Sequence, residues 1–172
     1  MSKTYGLKTE FAFVRQDASR IIVSYNRKDE ADGQHCTWDQ VCFYKKQTAS
    51  PTKEQIKDAI IKDINDSVVR QIHEGFEWND KPVWLSSENQ FNFKAAYDLA
   101  VQTKGKSLPV KFKLGETAEG EPVYHTFEEM SEFTDFYTKA IAFINTCLND
   151  GWELKDSIDW SEYERLLPSA EK

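Results

Sequence analysis

The sequence predicts an α+β fold: an N-terminal antiparallel β-meander followed by three helices alternating with two β-hairpins. Three observations carry this reading. Apolar residues alternate at a period of two along the first quarter of the chain, an apolar period of four runs from Ile56 to Ile72, and short paired runs with turn formers separate the helical stretches. A doubly wound sheet would instead place single strands between helices. At 172 residues the chain is the size of one domain, or one domain with a small addition, and can bury a sizeable core.

Taken in order, residues 5–14 hold Leu7, Phe11, Phe13 and Val14, a weak strand signal that ends in the polar residues 15–19. Residues 20–27 place Ile21, Val23 and Tyr25 on one face, and the loop after them holds the turn pair Asp32-Gly33. Residues 36–44 alternate Trp38, Cys42 and Tyr44 against Val41 and Phe43, and a meander is the simplest arrangement of these strands. After a polar joint at 45–50, Ser50-Pro51 reads as a helix start, with Ser50 as cap and Pro51 at the first helical position. Ile56, Ile60, Ile64, Val68 and Ile72, flanked by Ala59, Ile61 and Val69, form the broad apolar stripe of a long helix that Gly75 ends in a left-handed conformation.

Residues 76–78 and 83–85 flank Asn79-Asp80-Lys81-Pro82 as a short aromatic hairpin. Ser87 and Gln90 have capping-box spacing and open a helix with Phe91, Ala95 and Leu99 on one face, which stops at Lys104-Gly105. Leu108, Val110, Phe112 and Leu114 alternate with Lys111 and Lys113 as a strand, which turns through 115–120 and returns through 122–125. Thr126 and Glu129 form a second capping box, opening a helix that faces Met130, Phe133, Tyr137, Ile141, Ile144 and Leu148 to the core and stops at Asn149-Asp150-Gly151. The remainder holds a helical turn from Ser161, with Tyr163, Leu166 and Leu167 apolar and Pro168 as its end, or is a docked tail. The organisation expected is therefore a β-meander at 1–48, a helix/hairpin domain at 51–158 and a tail at 159–172.

Charge and composition exclude several functions. With 29 acidic against 22 basic residues, and the basic ones scattered, the chain lacks the basic face that replaces phosphate counterions, so no nucleic-acid partner is expected. No run approaches the roughly 20 apolar residues of a membrane span and the N-terminus has no signal-peptide core, so no membrane association and a cytoplasmic location are expected. Cys36, Cys42 and Cys147 are an odd number without close pairs, which suits buried thiols in a reducing compartment.

The chain offers no convincing catalytic set. His35, His73 and His125 are scattered without His-x-x-x-His spacing, and His73 near a helix end is explained by the dipole alone. His125 with Glu128 and Glu129 is the nearest acid–base group, but the cap already accounts for Glu129. Asp58, Asp63 and Asp66 do not share one point on their helix and read as a solvated face. There is no phosphate-cradling glycine loop and no nucleophile elbow. No catalytic, cofactor-binding or metal-binding residue, and no cofactor, is expected. What remains is an aromatic and amide set, Trp78, Trp84, Asn89, Gln90 and Asn92, as a possible interaction surface. The plainer alternative packs Phe76, Trp78, Val83 and Leu85 as a small core beneath the hairpin.

The run G-F-E-W followed by W-L-S-S-E-N-Q-F-N, after a long helix, resembles a domain of unknown function that recurs in bacteriophage and prophage proteins, often at the ends of tail-fibre or tail-assembly proteins. The resemblance covers about 51–158, including the L-P-V-K-F-K strand; family members often carry Trp where Phe112 stands. It implies a phage-associated accessory protein of the bacterial host cytoplasm, possible incorporation in the virion, a tail component as protein partner, and no assigned catalytic residues. The leading expectation is a non-enzymatic interaction protein with a tail-assembly or structural role. The alternative is a small-ligand or carbohydrate-binding module using the surface aromatics. Trp84→Ala separates core from contact surface: chemical denaturation should show a loss of about 3–5 kcal/mol for a buried ring and below about 1 kcal/mol for a free one.

Overall fold

The computed structural model describes residues 2–44 and 51–166. The joint at 45–50 with its Ser50 cap, and Leu167 and Pro168, lie outside them. The architecture is the α+β one expected, with an N-terminal antiparallel sheet, helices and two small antiparallel hairpins. The chain divides into two units, residues 1–67 with 151–172 and residues 68–150.

In the first unit, β1 (Ser2–Leu7), β2 (Val14–Gln16), β3 (Arg20–Asp29) and β4 (His35–Tyr44) form one sheet in the order β1-β4-β3-β2. Strands β2 to β4 follow meander order, but β1 pairs with β4, which is a Greek-key order. The weak strand signal over 5–14 is thus two strands, separated by a 3-10 turn at Lys8–Glu10. All of Ile21 to Tyr25 is buried, so β3 is covered on both faces rather than on the one that alternation suggested. One face meets α1 (Lys53–Glu74), since Tyr25 donates its hydroxyl hydrogen to Asp63 Oδ2 at 2.6 Å, beside the buried stripe Ile56, Ile60 and Ile64. Asp63 is therefore turned to the sheet and is not part of a solvated acidic face. At the other edge β2 is short, and the Ser24 carbonyl accepts from the hydroxyl of Tyr163 on α4 (Ser161–Leu166) at 2.9 Å. Asn26, with φ 52, bulges β3 and donates its amide to Asp39 Oδ2 at 2.6 Å.

The sequence places the start of α1 two residues too early. Thr52 is the cap: Gln55 N–H donates to Thr52 Oγ1 at 3.3 Å, and Thr52 N–H donates to Gln55 Oε1 at 2.9 Å. This is a reciprocal capping box, with Pro51 buried just before it. Gly75 does follow the helix, but not in a left-handed conformation. Its hydrogen side chain is required by proximity, because a Cβ would lie 2.6 Å from the Gln71 carbonyl oxygen and 3.3 Å from Phe143 Cζ.

In the second unit, β5 (Phe76–Trp78) and β6 (Lys81–Val83) are joined by Asn79-Asp80, both left-handed at φ 49 and 58. That is a two-residue type I′ turn, and Lys81 and Pro82 belong to the strand, not the turn. Helix α2 (Ser87–Gln102) follows, then β7 (Val110–Glu116) and β8 (Pro122–Phe127), and then α3 (Met130–Asp156). Trp84 N–H donates to the Leu114 carbonyl at 2.7 Å, tying the first hairpin to the second. Gly115 permits that approach, since a Cβ there would meet the Pro82 carbonyl oxygen at 2.8 Å.

Three local expectations give way to packing around α3. Thr126 is a ladder residue opposite Lys111 and does not cap a helix. Extending β8 buries Phe127 completely, worth about 1.5–3 kcal/mol, whereas a cap contributes about 1 kcal/mol. Gly151 does not stop α3, which runs five residues further with Gly151 buried. A mid-helix glycine costs only about 1 kcal/mol relative to alanine. The buried stripe is Phe133, Phe136, Ala140 and Cys147, and Ile141 is 40% exposed. The thiols also divide, with Cys36 and Cys147 buried but Cys42 exposed, and all three free.

Two measurements check this packing. Phe136→Ala should lose about 3–5 kcal/mol in chemical denaturation, while Ile141→Ala should stay within about 0.5 kcal/mol of the parent. Asp39 is 1% exposed, and burial raises its carboxyl above the ordinary value, with the nearby Asp63 charge adding to the rise and the Asn26 hydrogen bond opposing it. The folded chain thus holds this proton more tightly than the unfolded one. Asp39 contributes most stability below its unfolded value near about 3.9, and that contribution is lost as pH rises through the raised folded value. Asp39→Asn should therefore gain stability over the parent at pH 7 in thermal melts, and the gain should shrink as pH is lowered towards 4.

Candidate functional site

The stretch 75–93 combines its amides with backbone groups. Ser86, in extended conformation, caps α2: its hydroxyl accepts the Asn89 N–H at 3.2 Å, so the cap lies one residue before the Ser87 that spacing suggested. Asn89 then donates its side-chain amide to the Trp84 carbonyl at 2.9 Å, and Gln90 donates to the Leu85 carbonyl at 2.6 Å. Both amides fix the hairpin to the helix it precedes. Asn92 is exposed on α2.

The two tryptophans have different surroundings. Trp78 is 2% exposed, inside a core with Phe76, Val83, Leu85, Phe93, Leu114, Phe127, Phe133 and Phe136, so its ring is packing rather than contact surface. Its indole N–H donates to Asp135 Oδ2 at 3.0 Å. Lys139, first, and this indole hold the Asp135 carboxyl below the usual range. Trp84 is half-buried, stacked on His73 with ring centroids 6.1 Å apart, and Lys113 Nζ lies 5.3 Å from its ring centroid. This intermediate setting places the expected Trp84→Ala loss between the two bounds given above.

His125 gathers partners that sequence reasoning missed. Its Nδ1 lies 3.0 Å from Lys81 Nζ and its Nε2 lies 3.0 Å from Glu132 Oε1, with the edge of Trp78 against the ring. Lysine has only hydrogens to offer, so Lys81 donates to Nδ1 and the imidazole donates from Nε2 to Glu132. Glu128 and Glu129, the neighbours in sequence, are exposed and take no part. The physical reason is the strand pleat: His125 points to the same side as Phe127, towards α3, where Glu132 stands in the first turn. His35 bonds to Asp32 and stacks on Tyr5, so each histidine is engaged locally. Among the described residues no group of three or more His, Cys, Asp or Glu is placed to hold a metal ion.

Helix α2 presents an unexpected outer face. Phe91, Ala95 and Leu99, the stripe that its spacing marks out, is solvent-facing: Phe91 is 70% exposed and Leu99 51%. The helix buries Phe93 and Ala100 instead, with Ala96 and Tyr97 half-buried beside them. Phe93 meets Phe112 and Phe136 edge-on at 4.9 and 5.1 Å, a contact that the Phe91 side of the helix cannot make at the same time. The outer stripe is flanked by Lys94, bonded to Asp98 at 2.5 Å.

With this geometry in hand, comparison with family models gives one match: the domain of unknown function DUF4376, over residues 55–170. The chain belongs to that family. The DUF4376 match covers about two thirds of the sequence and both of the large helices, and it extends past the 158 at which the resemblance was expected to end, through α4. No curated protein and no solved structure matches the chain. Among the described residues no helix of this DUF4376 protein is long and apolar enough to cross a membrane.

Proposed function

We propose that this DUF4376 chain is a non-enzymatic interaction protein, an accessory component encoded by a phage or prophage that acts in tail assembly or structure inside the host cell. The observation that carries the interaction reading is the set of large apolar side chains left on the surface of the second unit. Phe91, Leu99, Val101 and Tyr124 are each more than half exposed, and three of them lie on one helix. Phe91 and Leu99 flank exposed Ala95 on one side of α2, with Val101 on another, and an apolar stripe left on a helix surface marks a contact for another chain.

The polar groups support the same reading. The amides of Asn89 and Gln90 hold backbone carbonyls, and His125 is committed to Lys81 and Glu132, so these donors serve the fold. The phage setting rests on the resemblance of residues 51–158 alone. Affinity capture from cells producing the phage should recover a tail component, and a deletion strain should give defective particles. Capture of no tail component together with normal particles would overturn the tail-assembly role.

A further inference from the structure

We propose that His125 is a pH-sensitive switch of partners in the second unit: uncharged, it ties the first hairpin to the second through Lys81, and protonated, it lets Lys81 go and holds α3 more strongly through Glu132. Its two polar neighbours make opposite demands on one proton. The switch is independent of what the surface of α2 binds.

Imidazole is the side chain whose ordinary titration falls between about pH 5 and 8, and the neutral ring has one donor and one acceptor nitrogen. Both are engaged here. Lys81 Nζ lies 3.0 Å from Nδ1, and Glu132 Oε1 lies 3.0 Å from Nε2. An ammonium offers only hydrogens and a carboxylate only lone pairs, so Glu132 holds the ring proton on Nε2 and leaves the Nδ1 lone pair aimed at Lys81. The His125 side chain is 16% exposed, with Trp78 and Phe127 edge-on at 5.0 and 4.6 Å, so the ring cannot turn to solvent without giving up this packing.

A second ring proton has one place to go, Nδ1, and there it meets the Lys81 ammonium. The hydrogen bond then has no acceptor, and two like charges at that distance repel. Lys81 is half-buried and, among the described residues, forms no ion pair, so its flexible stem carries the ammonium out to water. On the other side of the ring the change has the opposite sign, because the bond to Glu132 becomes an ion pair as well as a hydrogen bond. The remaining charges around the ring do not reverse this. Asp135, one turn along α3 from Glu132, accepts from Trp78 and is paired with Lys139 at 2.8 Å. On β7 the residue opposite His125 is Phe112, and Lys111 and Lys113 alternate to the other face. Glu77 and Asp80 on the first hairpin, and Glu128 and Glu129 before α3, are exposed to solvent. Acid therefore moves the tie from between β6 and β8 to between β8 and α3.

The test is a pair of double-mutant cycles on the full chain, read as shifts of the chemical-denaturation midpoint at about pH 8 and about pH 5.5, on either side of the ordinary imidazole value. Lys81→Met keeps the aliphatic stem and His125→Phe keeps the ring packing. Their coupling should be stabilising at the higher pH and disappear at the lower one, whereas the coupling of His125→Phe with Glu132→Gln should grow as pH falls. A Lys81–His125 coupling that is absent at the higher pH or equal at both overturns the switch, and so does a Glu132 coupling that does not grow. If a variant fails to fold, NMR titration of the parent chain decides. The Lys81 ε-methylene resonances should then shift with the same midpoint as the His125 ring. Lysine resonances that stay still while the ring titrates, or a ring that does not titrate in this range, overturn it.

Discussion

The second unit depends on one packed set of aromatic rings. Phe127 and Phe133 stack with centroids 4.6 Å apart, and Trp78 meets Phe136 edge-on at 5.4 Å and Phe127 at 5.5 Å. Phe93 approaches Phe136 from α2 and Phe112 joins from β7. These rings come from β5, α2, β7, β8 and α3, and Val83 of β6 packs into the same cluster, so these elements of the unit are fastened to one place. The dependence is physical: β5 and β6 have three residues each, and an isolated hairpin of that size is not stable in water. Burial of Trp78 and Val83 under the rings of α3 supplies what the ladder cannot.

That constraint also explains the surface. Once α2 has turned Phe93 inward to Phe112 and Phe136, the helix period leaves Phe91, Ala95 and Leu99 outside. The same constraint extends β8 to Phe127 and so turns His125 inward to Glu132 and Lys81, away from its sequence neighbours. The exposed stripe and the histidine's partners are therefore two consequences of one core. In the first unit the ordering principle is different, since β3 is buried on both faces and its polar groups must be met individually. Tyr163 reaches the Ser24 carbonyl, Tyr25 reaches Asp63 and Asn26 reaches Asp39. Trp38 Nε1 and Asp39 Oδ1 are buried without a partner among the described residues, a cost the surrounding apolar burial offsets.

Legibility in the sequence followed the range of the interaction involved. The Ile56–Ile60–Ile64 stripe, the Asn79-Asp80 turn, the lysine alternation of β7 and the Lys104-Gly105 stop were readable, because period and left-handed turn residues act within a few positions. Caps were readable in kind but not in place. Ser86 and Ser87 are equivalent by composition, and only the extended backbone at Ser86 aims a hydroxyl at Asn89 N–H. The sequence marks Gly75 as a left-handed helix stop, whereas what calls for glycine there is the closeness of the Gln71 carbonyl and of Phe143, far along the chain. Of the residues singled out as a possible surface, Trp78 is core and Asn89 and Gln90 serve the backbone. The aromatic that does stand on the surface, Phe91, has the spacing of a core residue, which is why periodicity alone assigns it to the wrong side of α2.

The sequence by itself determined the α+β class, the number and order of the main helices and hairpins, and the lack of a motif with catalytic spacing. Those follow from periodicity, turn chemistry and residue type, which act locally. Tertiary structure alone decided that β1 pairs with β4, that α3 continues through Gly151, that His125 meets Lys81 and Glu132, and which of two apolar rows on α2 is buried. Each of these is a choice between local options of nearly equal energy, separated by a kilocalorie or so. A buried ring contributes more than that, and where rings can be buried together is fixed by contacts that a linear pattern does not contain.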